Sequence, residues 1–168
     1  MRLRIPDWVE QPVLKINGQV SGGALKPGSY RELRRNWKTG DVVELDLPMP
    51  VVLMESHPLV EENRNQVAVM RGPIVYCLEN KDLPQGVTMD NVRIARDAKW
   101  TVRHEPNFLN GVTVLETQAR VVPQAKDAAA LYRRVSAGKD DGFLLRMIPY
   151  YAWCNRGVGE MTVWLPTQ

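Results

Sequence analysis

Asp41-Val-Val-Glu-Leu-Asp-Leu47 changes side-chain character at each step from Val43 on, with Val43, Leu45 and Leu47 on one side and Glu44 and Asp46 on the other. Successive side chains of an extended chain point to opposite faces, so this period of two puts one face in a core and the other in water. Leu3 and Ile5 alternate with Arg2 and Arg4 in the same way, and Leu14 and Ile16 alternate with Lys15 and Asn17. The last run ends in an Asn17-Gly18 step, whose residues tolerate the positive φ of a two-residue hairpin. Further candidate strands lie at residues 31–37, 66–70, 74–79, 92–95, 100–104, 112–122, 143–148 and 160–165. Many short strands at regular spacing predict an all-β protein built as antiparallel β-sandwiches.

The connections suit that architecture. Lys26-Pro-Gly28, Lys38-Thr-Gly-Asp41, Asn110-Gly111 and Arg156-Gly-Val-Gly159 supply residues that accept turn geometry. One helical candidate spans residues 124–135, where alanines collect with little amphipathic pattern. Between Pro48 and Pro58 the prolines disfavour central-strand pairing, which predicts a crossing between two small modules, 1–55 and 56–168, with the boundary near Ser56. The first module offers about four strands, too few for independent stability. It is therefore expected to be incomplete, its apolar face covered by the second module, by another chain, or by sequence N-terminal to Met1.

With 168 residues, 44% hydrophobic and 24% charged, the chain has the balance of a soluble globular protein of one or two modules. No apolar run approaches the ~20 residues of a membrane span, and no apolar signal core follows Met1, so a cytoplasmic protein is expected. Cys77 and Cys154 are too few for a disulfide framework, and both are expected to be buried thiols in a reducing compartment. Arg31, Arg34, Arg35 and Lys38 cluster, but Glu32, Asp41, Glu44 and Asp46 lie in the same stretch, so no nucleic-acid partner is expected.

Catalytic chemistry is not legible. Glycoside hydrolysis needs two carboxyl groups at a defined separation, and nucleophilic hydrolysis needs a base beside the nucleophile. His57 and His104 have no partner at metal-ligand spacing. Asp140-Asp141-Gly142 lacks the further ligands of a calcium loop and is expected to be a turn. Cys77 sits in Ile74-Val-Tyr-Cys-Leu78, an apolar setting that raises a thiol pKa. Tyr150, Tyr151 and Trp153 crowd into Pro149-Tyr-Tyr-Ala-Trp-Cys-Asn-Arg-Gly157. These planes, with the Asn155 amide and the Arg156 guanidinium, suit either a sugar platform or a core or domain interface. Trp8, Tyr30 and Trp37 could form a second platform or the bulk of a thin sheet.

Several segments together resemble the C-terminal portion of glycoside hydrolase family 127, the β-L-arabinofuranosidases. They are Leu3-Arg-Ile-Pro-Asp-Trp8, Val13-Leu-Lys-Ile-Asn-Gly18, Tyr30 to Trp37 followed by Gly40-Asp41, Leu47-Pro-Met49, Arg71-Gly-Pro-Ile-Val-Tyr76, Pro149-Tyr-Tyr-Ala-Trp153, Asn155-Arg-Gly157 and Gly159-Glu-Met161. The resemblance implies a parent enzyme with an N-terminal (α/α)6 barrel carrying a cysteine nucleophile, a glutamate acid/base and a cysteine-rich zinc site. None of that barrel is in this chain, so no catalytic residue and no cofactor is assigned to it, and zinc is expected only in the barrel. The expected role is a non-catalytic accessory region that braces the barrel or joins two subunits, with Tyr150, Tyr151, Trp153, Asn155 and Arg156 as contact residues. The alternative is a carbohydrate-binding module for an arabinose-containing sugar, using those aromatics or Trp8, Tyr30 and Trp37.

Overall fold

Side-chain alternation decides which residues of this chain pair and which face each pair turns inward. The computed structural model describes residues 1–122, 132 and 142–168. The helical candidate at 124–135, apart from Tyr132, and the aspartates of the 140–142 turn lie outside the described residues. Two compact units form: Met1–Pro50 with Arg71–Pro73, and Val51–Met70 with Ile74–Gln168. Among the described residues the regular elements are antiparallel strands and single 3-10 turns, an all-β fold.

The first unit holds β1 (Arg2–Ile5), β2 (Val13–Ile16), β3 (Gln19–Val20), β4 (Ser29–Glu32) and β5 (Val43–Asp46). β1 pairs with β4, and β2 lies between β3 and β5. Asn17 and Gly18 both have positive φ, 52° and 77°, and join β2 to β3 in register Ile16 to Gln19. These are the backbone angles of the hairpin that the Asn-Gly step announces. Ile5, Val9, Leu14 and Leu33 are buried, whereas Val43 and Leu45 of β5 are only half covered. The candidate strand at 31–37 is corrected: β4 stops at Glu32, because the Leu33 N–H donates to the Met1 carbonyl and the strand opposite has then run out. Gly72, φ +57°, precedes Pro73 in the two-residue turn after Arg71, and a Cβ there would stand 2.9 Å from the Met49 side chain. A side chain is strained at that positive φ, so the first position of the turn favours glycine, and Pro73 takes the second with its ordinary negative φ.

The second unit contains β6 (Val51–Met54), β7 (Gln66–Arg71, its last residue grouped with the first unit), β8 (Ile74–Glu79), β9 (Val92–Ile94), β10 (Thr101–Glu105), β11 (Val112–Val121), β12 (Gly142–Pro149), β13 (Met161–Thr162) and β14 (Trp164–Pro166). They form one nine-stranded sheet with the path β10-β11-β12-β8-β7-β14, to which β9 adds on β11, β13 on β8 and β6 on β7. Two expectations are corrected here. The proline-flanked crossing contains a paired strand, β6, since its four residues are free of proline and all apolar. The candidate at 160–165 is broken at Val163, where the chain leaves β8 as its partner and takes β7 instead.

Alternation gives both faces of this sheet an apolar cluster. Tyr76 and Leu78 of β8, Leu115 and Ala119 of β11, and Leu145 and Met147 of β12 join the larger core with Val67, Val69 and Leu165. Cys77, Val114 and Ile148, pointing the other way from the same three strands, join Val112 and Ala152 in a second cluster. A sheet apolar on both faces is one that needs covering on both.

Candidate functional site

At the end of β12 the chain turns a sharp aromatic corner. Pro149 is buried and paired with Tyr76 of β8, and a single 3-10 turn follows over Tyr150–Ala152. The turn closes with the Trp153 N–H donating to the Tyr150 carbonyl at 3.1 Å. Ala152 points into the second core cluster as an anchor. That inward turn throws its neighbours outward: Tyr150, Tyr151 and Trp153 are 48%, 66% and 37% exposed. Tyr150 and Trp153 stack, with ring centroids 6.2 Å apart and planes 23° from parallel. The sequence left both a buried and an exposed reading open for these rings, and in the fold they are exposed.

Past Trp153 the backbone is pinned by a carboxylate the sequence reading did not single out. Glu79, at the end of β8, is only 3% exposed. Its Oε1 accepts the Cys154 N–H at 3.2 Å, and its Oε2 accepts Arg156 Nε at 2.8 Å and also Nη2. Arg156 Nη1 donates to Asp82 Oδ1 at 2.9 Å, so one guanidinium spans two carboxylates. The hydrogen bonds to Asp82 and then Glu79 push the arginine further above its already high pKa, although burial works against the charge. Lys81 Nζ donates to the Arg156 and Gly157 carbonyls, and the Asn155 amide donates to the Ala152 carbonyl at 3.1 Å. Phe108 lies 5.3 Å from the Arg156 guanidinium and 4.2 Å from that of Arg146, which is itself paired with Glu105.

Arg156 thus turns inward to hold the corner and Asn155, itself exposed, braces it locally, while the three aromatic rings remain outside. Glu79 and Asp82 are 77 and 74 residues from Arg156 in the chain, so no local spacing could pair them. The available signal was a carboxylate closing the apolar run 74–79, a placement that demands a cation. The second set of aromatics is not assembled. Tyr30 lies under Arg4 and Trp37 under Arg35, Trp8 faces Gly72, and among the described residues no ring contact joins the three.

Cys154 corrects the expectation of two buried thiols. It is exposed at φ +67°, outside any strand, because the corner needs a left-handed residue between Trp153 and Asn155. Cys77 is fully buried, and burial, aided by the nearby Glu79, pushes its thiol up to about 12. At neutral pH iodoacetamide should therefore modify Cys154 at once and Cys77 only after denaturation, as peptide mass mapping would show. The folded chain keeps the Cys77 proton where the unfolded chain has lost it. This contribution to stability is complete below the ordinary thiol value of 9.0 and fades as pH rises through about 12.

Among the described residues the donor set does not suit zinc. A ligand thiol must be a thiolate, and burial holds Cys77 protonated. His57 is exposed with Nδ1 accepting the Leu59 N–H, His104 is exposed, and among the described residues no three His, Cys, Asp or Glu side chains are grouped for a metal.

Comparison with known proteins places this architecture. The model of the glycoside hydrolase family 127 C-terminal domain matches residues 51–166, and that of the β-L-arabinofuranosidase GH127 middle domain matches residues 1–49. The two matches meet where the two compact units divide, between Pro50 and Val51. A non-reducing end β-L-arabinofuranosidase of Bifidobacterium longum subsp. longum is 36% identical over 96% of this chain, which covers 25% of that protein. The structure of a GH127 β-L-arabinofuranosidase from Geobacillus stearothermophilus superposes on 99% of the chain with TM-score 0.87 at 42% identity, the match covering 26% of that structure. A structure described as a glycoside hydrolase matches 99% of the chain at TM-score 0.89 and 45% identity, over 27% of its own length. The chain spans about a quarter of each of these relatives. Two ordered domain matches, agreeing in boundary with the fold's own division, make this chain a member of glycoside hydrolase family 127, over the family's middle and C-terminal domains.

Proposed function

We propose that this chain is the non-catalytic accessory region of a β-L-arabinofuranosidase-like enzyme, which braces a catalytic barrel, joins two subunits, or does both. The supporting observation is the aromatic corner: three exposed rings held by an Arg156–Glu79–Asp82 clamp that is anchored on the buried Glu79. A clamp that rigid lowers the entropy lost when the corner docks, and Tyr, Trp and Arg are the residue types that anchor interfaces. A match to a quarter of the relatives' length leaves ample chain in such an enzyme to supply the partner.

The test is to express this chain apart from the barrel region of a full-length family 127 relative and measure their association by size exclusion and calorimetry. Association is expected, and Tyr150→Ala with Trp153→Ala should weaken it by about tenfold or more, the loss of one anchor pair. The chain alone should not hydrolyse an aryl arabinofuranoside. Hydrolysis by the isolated chain, or failure to associate with the barrel or with itself, sinks the proposal. A second reading, a platform for an arabinose-containing sugar, is favoured by the exposure of the Tyr150–Trp153 stack. Saturable Trp153 fluorescence changes with arabino-oligosaccharides, without barrel association, would select it.

A further inference from the structure

A separate cleft of about 640 Å³ opens in the second unit beside β14. Antiparallel pairing sets Trp164 opposite Ala68 and Pro166 opposite Gln66. Leu165, between the two, is buried in the core with Val67. Alternation therefore turns Trp164 and Gln66 to the other face, where both line the cleft. Thr88 and Asp90 come from the segment around the 3-10 turn Met89–Asn91, and Glu160 and Thr162 from β13 and the residue before it. The Thr162 hydroxyl donates to the Trp164 carbonyl at 2.9 Å and steadies the backbone that carries the indole.

The chemistry of this lining is selective. A half-buried indole offers an apolar plane with a polar edge, which suits the C–H face of a sugar ring. Among the described residues the Asp90 and Glu160 carboxylates have no cationic partner, and charge-assisted hydrogen bonds from hydroxyl donors are about twice as strong as neutral ones. The Gln66 amide both donates and accepts. Among the described residues no lysine or arginine lines the cleft, so a phosphate or a sugar acid would meet two like charges there. Two carboxylates fall short of a metal cluster, and no such cluster occurs among the described residues. The volume lies within the range of small-molecule sites.

We propose that this cleft is a binding subsite for a neutral sugar with adjacent hydroxyl groups, stacked on Trp164 and hydrogen-bonded by Asp90, Glu160 and Gln66. It goes beyond the bracing role and uses different residues. The test is titration of the full 168-residue chain with L-arabinose, a linear arabino-oligosaccharide and galacturonic acid, following the tryptophan indole N–H resonances by NMR. The Trp164 resonance should move saturably with the neutral sugars, with a Kd on the order of 1 mM. Galacturonate should bind about tenfold more weakly or worse. The Asp90→Asn, Glu160→Gln double variant, its other resonances unchanged, should lose about tenfold in affinity for the neutral sugars. A Trp164 resonance that stays still with both neutral sugars overturns the proposal, as does equal binding of galacturonate or undiminished binding by the double variant. Shifts confined to Trp153 also overturn it, since they assign the sugar to the aromatic corner. Barrel association is read separately, so failure of the bracing role is distinguishable from failure of this one.

Discussion

Arg156→Ala should destabilise the second unit by about 3–5 kcal/mol, the cost of stranding a buried charge by removing its partner. Glu79 is almost inaccessible and receives two guanidinium nitrogens and the Cys154 N–H. Without the arginine its carboxylate must stay charged without its cation or take up a proton, and Asp82 loses its bidentate partner in the same step. The corner should loosen with it, because Lys81 holds the carbonyls of Arg156 and Gly157 and Asn155 holds Ala152. Urea unfolding followed by circular dichroism gives the stability change, and Trp153 emission reports the corner. The Arg156→Met, Glu79→Gln, Asp82→Asn triple variant should recover much of the loss, because neither carboxylate is then left as a charge without its cation. A single variant within about 1 kcal/mol of the parent chain would place the clamp among ordinary surface ion pairs and contradict the burial seen here.

Tyr76→Ala should cost a comparable amount, about 3–5 kcal/mol, for a different reason. Tyr76 is fully buried in the larger core on β8, the strand that lies between β12 and β7 in the sheet. Removing the ring forfeits its transfer free energy and opens a cavity walled by side chains from several strands, which cannot all move inward. Its hydroxyl donates to the Thr113 carbonyl at 3.1 Å, so Tyr76→Phe separates the two contributions. The phenylalanine variant should lose only about 1 kcal/mol, the net worth of one hydrogen bond. Equilibrium denaturation of both variants checks the order, and an alanine variant as stable as the phenylalanine one would place the ring outside the core.

The strands were legible wherever one face is apolar. Residues 74–79 and 112–122 read as strands within a residue of their ends, because alternating or continuously apolar side chains and flanking turn residues agree there. Two of the failures share a cause. β4 ends where its partner ends, and the 160–165 run breaks where it changes partner, neither of which leaves a trace in local composition. β6 was hidden by prolines that lie outside its four residues. The Asn17-Gly18 hairpin was readable because its backbone conformation is local, set by two residues that tolerate positive φ.

For the candidate site the division is similar. The sequence by itself determined that Tyr150, Tyr151, Trp153, Asn155 and Arg156 share one short segment, that Cys77 is an inert core thiol, and that the chain resembles family 127. Only the tertiary structure decided that the three rings face outward, that Cys154 is exposed, and that Arg156 reaches Glu79 and Asp82. It alone assembled Trp164, Asp90 and Glu160 around one cleft. Alternation and turn chemistry act over a few neighbouring residues and can be read along the chain. Pairing a buried charge, or gathering a cleft from segments about 70 residues apart, depends on which strands lie side by side, and that is settled when the whole sheet closes over its core.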